Sequence, residues 1–293
     1  MSTLELPTFI ASVVIPAHNR NDKLNRAVLS VLMQNGAERV QIIVVDDCST
    51  PPLHCPYLRV QDRFIRNTTN QGAPASRNTG IRLAEGALVY LLDSDDQFIQ
   101  RDFIADYQAY GERTGLYYVN IISADQGSHY PEWMERGDFV DYTMGGRHPL
   151  IGQTSSLMFP ARSKLYFDES LPKHQDWDLV FTYLCQGERM WRMPGLVAYD
   201  VTDKASVSRT YSPHKSLPWL NKLSKDASLG CGREEVEYIT YLLMNYSQAH
   251  YPWRNWIKWS SGLLLRRRIS LYAAMKSLYL RITKESFSKS SRA

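Results

Sequence analysis

The sequence predicts an α/β fold, a three-layer α/β/α sandwich on a mostly parallel sheet, followed by a helical C-terminal extension. Two observations carry this. Short apolar, β-branched runs alternate with segments of helical period over the first hundred residues, and each run stops at a polar or acidic cluster. A third concerns charge: from His250 to Ala293 there are ten Lys or Arg against the single acid Glu285, a net +9, whereas the remaining chain is about −5. The overall +4 hides an acidic body and a basic tail.

The elements follow in order. IASVVIPA (Ile10–Ala17) reads as a buried strand stopped by Pro16. Asn19 to Gln34 opens with capping residue types, and Leu24, Ala27, Val28, Val31 and Leu32 recur at helical spacing. QIIVVDD (Gln41–Asp47) is a second buried strand, and a weak strand is expected near Asp62–Arg66. Gly72–Glu85 predicts a helix and Ala87–Leu92 a further strand. Leu116–Ile122 reads as a strand, Asp125–Tyr142 as a loop or hairpin region, and Thr154–Phe159 as a short strand. His174–Cys185 predicts a helix with Trp177, Val180, Phe181 and Leu184 inward, and Arg189–Val201 edge strands.

At 293 residues with 44% hydrophobic and 22% charged content, the chain suits one large domain with an appendage. The start, MSTLELPTFIASVV, lacks a basic stretch before a long apolar core, so no secretory signal is expected. The longest apolar run, around Ala87–Leu92, is too short to span a bilayer. Cys48, Cys55, Cys185 and Cys231 form no CxxC pair, which argues for free thiols in a reducing, cytoplasmic compartment.

Ligands of doubly wound sheets bind beyond the carboxyl ends of the strands. Pro16–His18, Asp46–Asp47 and Asp93–Asp96 are three such ends and should converge on one crevice. LLDSDD places Asp93, Asp95 and Asp96 within four residues. Hard cations such as Mg²⁺ or Mn²⁺ take carboxylate oxygens and complete their shells with substrate phosphates. The competing reading is a solvated, helix-capping turn. A dinucleotide fold needs a glycine-rich turn after the first strand, and PAHNRND has none. No GxxxxGK[ST] occurs either, which excludes a P-loop.

SVVIPAHNRNDKLNRAVLSVLMQ, QIIVVDDCS and NQGAPASRNTGIRLAEGALVYLLDSDD together resemble the nucleotide-binding half of family 2 glycosyltransferases with the GT-A fold. SSLMFPARSKLYFDESLPKHQDWDLVFTYLCQG is similar to the acceptor-side segment of that family, with DWDL in place of its acidic motif. The resemblance runs from about Ser12 to Asp200. It implies a catalytic domain over residues 1–210, nucleotide-binding in 1–115 and acceptor-side in 116–210, with the basic extension over 211–293.

The resemblance further implies roles for single residues. Pro16, Ala17, His18 and Asn19 match the post-strand residues that line the base pocket. Asp47 matches the acid that hydrogen-bonds a pyrimidine ring, and Arg77 a basic residue near the nucleotide. Asp93 and Ser94 are placed with the nucleotide. Asp95 is the expected metal ligand for Mn²⁺ or Mg²⁺, with Asp96 assisting. Asp176 matches the general base of inverting members. Inverting transfer requires a base for the acceptor hydroxyl and a Lewis acid for the departing diphosphate.

The family's usual Glu before the base is Gln175 here, leaving Asp176 or Asp178. At roughly 100° per residue these lie about 200° apart on a helix, so only one faces a site. Asp176 is favoured, with Asp178 read as a cap, a salt-bridge partner or a surface charge. His174 reads as solvent-facing, Trp177 as a core or acceptor-shelf aromatic, Asp46 as a turn acid or ligand, and Arg77 also as a partner for an acid such as Asp47.

In the tail, Trp253, Trp256 and Trp259 precede a helix that gathers Leu264, Leu271, Met275, Leu278 and Ile282 on one side. Arg266, Ser270, Ser277, Arg281 and Lys284 fall opposite. This predicts attachment to an anionic membrane surface, on the inner face of the plasma membrane, against the alternative of a helix packed on the domain. No nucleic-acid motif accompanies the charge.

The expected partners are therefore a nucleotide-sugar donor, most simply UDP-linked, and a saccharide or lipid-linked acceptor of lipopolysaccharide or capsule synthesis. A sugar-nucleotide pyrophosphorylase would need a Gly-rich basic loop after the first strand, absent from VVIPAHNRN. A non-catalytic carbohydrate- or nucleotide-sugar-binding member of the same fold is the alternative from another class. Acceptor specificity would reside in Asp125–Gly152 and after Val201, where no pattern assists.

Overall fold

The run FIASVVIPA forms β1 (Phe9–Ala17) in the computed structural model, which describes residues 9–110, 115–122, 131–144, 152–198 and 213–247. The chain divides into two units. The first comprises Met1–Arg136, Leu150–Ser170 and Gln175–Asp203, and the second Gly137–Pro149, Leu171–His174 and Lys204–Ala293.

In the first unit, Ala11, Val13, Ile15 and Ala17 share one face of β1, as the two-residue repeat of a strand requires. They join a core with Leu24, Ala27, Val28 and Val31 of α1 (Asn21–Leu32), the i, i+3, i+4, i+7 stripe of that helix. β2 (Val40–Asp46) is buried throughout, and β3 (Arg63–Arg66) forms the sheet edge. α2 (Ala73–Arg82) lies on the opposite face: a Cβ at Gly80 would stand 2.3 Å from Val14 Cγ1. Val14 alternates with Val13 and Ile15, so helices cover both faces and the three-layer expectation holds for β1.

β4 (Gly86–Leu91) runs parallel to β1 on the side away from β2, and its start is equally tight, since a Cβ at Gly86 would stand 2.5 Å from the Ala11 carbonyl carbon. After β5 (Gln97–Phe98), α3 (Phe103–Tyr110) adds Phe103 and Ile104 to the core, with Phe98 and Phe103 stacked at 5.0 Å. The remaining elements of this unit are β6 (Leu116–Ile122), β7 (Trp133–Met134), β8 (Leu157–Pro160), α5 (Gln175–Leu184) and β9 (Met190–Ala198), while the short α4 (Arg136–Phe139) has only Arg136 in it.

Among the described residues the sheet has nine strands in the order β3-β2-β1-β4-β8-β6-β9-β5, with β7 paired to β9. It is parallel across β3, β2, β1 and β4 and again between β6 and β9. β8 enters antiparallel between β4 and β6. Two sequence expectations change. Arg189–Val201 is not a set of edge strands: β9 lies inside the sheet, between β6 and β5. Thr154–Ser156 is a 3₁₀ turn, and only Leu157–Pro160 is strand.

In the second unit, α6 (Pro213–Lys225) buries Trp219, Leu220 and Leu223, and α7 (Arg233–Ser247) buries Val236, Ile239 and Leu243. Tyr238 donates its hydroxyl to Asp141 at 2.8 Å, within a π-helical turn over Val140–Met144. His174 corrects the solvent-facing expectation. It is 7% exposed, its Nε2 lies 2.8 Å from Ser216 Oγ, and its ring packs 5.3 Å from that of Trp219. Burial, helped by Lys173, lowers its pKa to about 3, so it stays neutral. The predicted amphipathic helix and its three tryptophans lie outside the described residues.

Candidate active site

The parallel register levels the ends of three strands. Ala17 pairs with Asp46, Val14 with Leu91, and the Leu92 amide donates to Val14 O at 3.0 Å. His18, Asp47 and the Asp93–Asp96 turn therefore emerge on one edge, as the sequence predicts.

The first two ends are stitched together. Pro16 and Ala17 are buried within β1, while His18 and Asn19 are exposed. His18 Nδ1 donates to the Asp47 carbonyl at 2.8 Å, and its Nε2 accepts from Asn19 Nδ2 at 2.9 Å. Asn19 takes a left-handed backbone (φ 54°), which lets its amide reach Ser49 Oγ at 2.9 Å and its Oδ1 accept from the Thr50 amide at 2.8 Å. Asp46 is a turn acid: it accepts from the Ser49 amide at 2.9 Å and pairs with Arg66.

Asp47, expected to meet a nucleobase, is engaged by its own chain. Its carboxylate accepts from the Gln71 amide (2.9 Å), the Gly72 amide (2.7 Å) and Asn67 Nδ2 (2.9 Å), at 4% exposure. Burial alone would raise its pKa, but these donors and Ser76 outweigh it and hold the carboxyl below its ordinary range. Asp47 thus anchors the loop that leads into α2, and the Asn70 side chain of that loop reaches His18 at 3.3 Å.

The acidic turn divides into inward and outward members. Asp96 is 1% exposed and accepts from Ser155 Oγ, and Ser94 is 5% exposed. Ser155 Oγ also accepts from the Asp93 amide at 2.9 Å, and its carbonyl accepts from Tyr90 Oη at 3.0 Å. Ser155 therefore fixes the turn from β8's side, a role that nothing in TSSLMF announces. Asp93 and Asp95 face outward, each against an arginine. Arg77 Nη2 donates to Asp93 Oδ1 at 2.6 Å, and Arg20 Nη1 pairs with Asp95. Burial and the neighbouring Asp93 charge push the Asp95 carboxyl up, partly offset by Arg20 and Lys23.

Arg77 pairs with Asp93 rather than with Asp47. It is 7% exposed, its guanidinium carbon lies 5.2 Å from the centroid of the Phe167 ring, and its Nε lacks a partner. The next residue, Asn78, clamps the same segment: Nδ2 donates to Phe167 O at 2.9 Å and to Glu169 Oε1 at 2.8 Å, and Oδ1 accepts from the Phe167 amide at 2.8 Å. Sequence reasoning missed Arg20, Asn67, Asn78 and Ser155, whose partners lie between 9 and 91 residues away.

Asp176 opens α5 and accepts from the Trp177 amide at 2.9 Å. It is half-buried, and desolvation by the surrounding protein pushes its pKa up to about 6, with Asp93 adding to the rise and the Trp177 amide and Arg77 opposing it. Both modifiers belong to the acidic-turn assembly, so Asp176 shares its electrostatic field. Asp178 is no surface charge, being 3% exposed, and Trp177 is core at 6%. Among the described residues no group of three or more His, Cys, Asp or Glu is arranged to hold a metal ion by itself.

The chain is similar to known proteins. The succinoglycan biosynthesis protein ExoO of Rhizobium meliloti is 29% identical over 199 residues, covering 60% of this chain and 56% of that protein. The present chain thus spans little more than half of ExoO. The putative colanic acid biosynthesis glycosyl transferase WcaA of Escherichia coli is 25% identical over 255 residues, covering 84% and 91%. S. aureus TarS 1-349 in complex with UDP-GlcNAc superposes with a TM-score of 0.60 at 15% identity, covering 86% of this chain and 79% of that one. The mannosyltransferase PcManGT from Pyrobaculum calidifontis, in complex with GDP-Man and Mn²⁺, gives 0.52 at 14% identity, covering 98% and 90%. At such identities the structural likeness is one of fold. The model of glycosyl transferase family 2 matches residues 12–172, more than half of the sequence, and the chain belongs to that family.

Proposed function

We propose that this protein is an inverting glycosyltransferase that moves a sugar from a nucleotide-diphosphate donor, UDP-linked, to a saccharide or lipid-linked acceptor in bacterial envelope polysaccharide synthesis. The observation that carries the reading is the meeting of three strand ends at the acidic turn, where Asp93 and Asp95 pair with Arg77 and Arg20; Asp176, its carboxyl raised to about 6, lies within the field of Arg77 and Asp93. A general base works best with a pKa near the working pH, and this one is still deprotonated at neutrality. Asp176 takes the proton of the acceptor hydroxyl as that oxygen attacks the sugar. Arg77 and Asp93, fixed to each other, hold the charge around it.

The nucleobase rests against His18, Asn19 and the loop 67–72, which Asp47 holds in place. Asp95, with Asp93 beside it, would hold Mn²⁺ or Mg²⁺. The fit lies in the donor set: two hard-oxygen carboxylates, partly solvated, crowd each other and each draws a cation. Asp96 leaves the ligand set, because its carboxylate is turned inward to Ser155. When bound, the metal supplies charge stabilisation for the departing diphosphate. The name of ExoO, the name of WcaA and the UDP-GlcNAc of TarS support the envelope pathway and the UDP-linked donor.

The basic tail is proposed to hold the enzyme on the cytoplasmic face of the membrane, and among the described residues no helix is long and apolar enough to cross one. The test is turnover of a panel of nucleotide sugars, with and without a chelator, by the parent and Asp176→Asn. The variant should lose about 10²–10⁴ in kcat while still binding UDP. Undiminished turnover would remove Asp176 from the role of base. Failure of every nucleotide sugar to turn over, with UDP still bound, would favour the non-catalytic binding alternative.

A further inference from the structure

Arg20 follows β1 in the stretch AHNRND and is the last residue before α1. Its carbonyl accepts from the Leu24 amide at 3.0 Å, so the first helical turn fixes its backbone. From there its guanidinium reaches Asp95, 75 residues further along the chain. The side chains of this pair are 31% and 20% exposed. Lys23, three residues on, directs a second positive influence at the same carboxylate.

A side-chain cation therefore already occupies the carboxylate to which a divalent metal was assigned above. One carboxylate oxygen cannot serve both cations fully, so metal loading and the Arg20 contact compete. A partly solvated ion pair is weak, and a long arginine side chain readily turns to another anion. A guanidinium matches the oxygens of a phosphate group in a two-pronged fashion.

We propose that Arg20 is a positioning residue that keeps Asp95 in place in the metal-free enzyme and passes to the donor's diphosphate when a divalent cation takes Asp95. The inference rests on the assignment of the metal to Asp95. It adds that cation and nucleotide bind synergistically. Metal alone must displace Arg20, nucleotide alone finds Arg20 engaged, and the two together satisfy both. Reciprocal coupling follows from linkage.

The test titrates Mn²⁺ alone, followed by the free-Mn²⁺ electron spin resonance signal, and UDP by calorimetry with and without saturating Mn²⁺. The proteins are the parent, Arg20→Gln, Arg20→Lys and Asp95→Ala. Arg20→Gln should bind Mn²⁺ alone roughly threefold to fivefold tighter, the scale set by a partly exposed ion pair. It should bind UDP with Mn²⁺ about tenfold more weakly, and Arg20→Lys should recover part of that loss. Unchanged or weaker Mn²⁺ binding by Arg20→Gln would overturn the inference, as would a uniform loss of both affinities with a lowered unfolding midpoint. If Asp95→Ala binds Mn²⁺ like the parent, the metal assignment itself fails. If Asp95→Ala loses Mn²⁺ while Arg20→Gln is unaltered, only the role of Arg20 fails.

Discussion

Replacing Asp176 by Asn should strengthen the fold while it removes the activity. The carboxyl moves from its ordinary value of 3.8 to about 6, which corresponds to about 3 kcal/mol of preference for the neutral form. The sign follows from the direction. Above the folded pKa of about 6, the charged carboxylate costs the native state that full amount. As pH falls from 6 towards 3.8, the folded protein takes up its proton first and the cost disappears. An asparagine carries no such cost, and its Oδ1 still accepts from the Trp177 amide. Urea unfolding at pH 8 should therefore show Asp176→Asn more stable than the parent by up to about 3 kcal/mol, and the two should converge near pH 4. If Asp176 is the base, the same titration should appear in the parent's kcat/KM, which should decline below about pH 6. A variant no more stable at pH 8, or equally favoured at both pH values, would refute the assignment of the raised pKa to desolvation of Asp176.

Three further outcomes are expected. Gly80→Ala should cost about 1–3 kcal/mol in urea unfolding, because its Cβ would stand 2.3 Å from Val14 Cγ1 in the sheet; a neutral change would mean α2 can shift freely. Ser155→Ala leaves the Asp93 amide and the buried Asp96 carboxylate each without this partner, and should destabilise by about 1–3 kcal/mol and weaken UDP–Mn²⁺ binding in calorimetry. Unaltered binding would show that the turn holds its shape without β8. Truncation after Trp253 should release the protein from anionic vesicles in a sedimentation assay, and undiminished co-sedimentation would contradict a membrane role for the tail.

The sheet was legible where burial leaves a plain mark. VVIP, IIVV and LVYLL are continuous apolar runs because both faces of those strands are covered, and α1 carries its stripe openly. α3 left little trace: in FIADYQAY the apolar residues do not gather on one side, and its place is set by the aromatic contacts of Phe98 and Phe103. β5 is two residues long, below any periodic signal. At the candidate site, the acidic residues could be found because carboxylates at strand ends are conspicuous. Their division of labour could not. Whether Asp47 faces a ligand or three donors of its own chain depends on the path of residues 67–72, and whether Asp96 points in or out depends on a serine 59 residues away. Asp178 and His174 were misplaced for a related reason: polar residues near a helix start read as solvated until the partner surfaces are known.

Asn78 holds Phe167 by that residue's main-chain N–H and C=O, imitating with one side-chain amide the paired bonds of a strand, and adds one bond to the Glu169 carboxylate. The two main-chain bonds do not depend on the side chain at position 167. Residues 164–170 could be exchanged for those of another family member without loosening the attachment, provided the ring over Arg77 and the Glu169 carboxylate are kept. Chimaeras between family members have a natural splice point there, because α2 would grip the new segment as it grips this one.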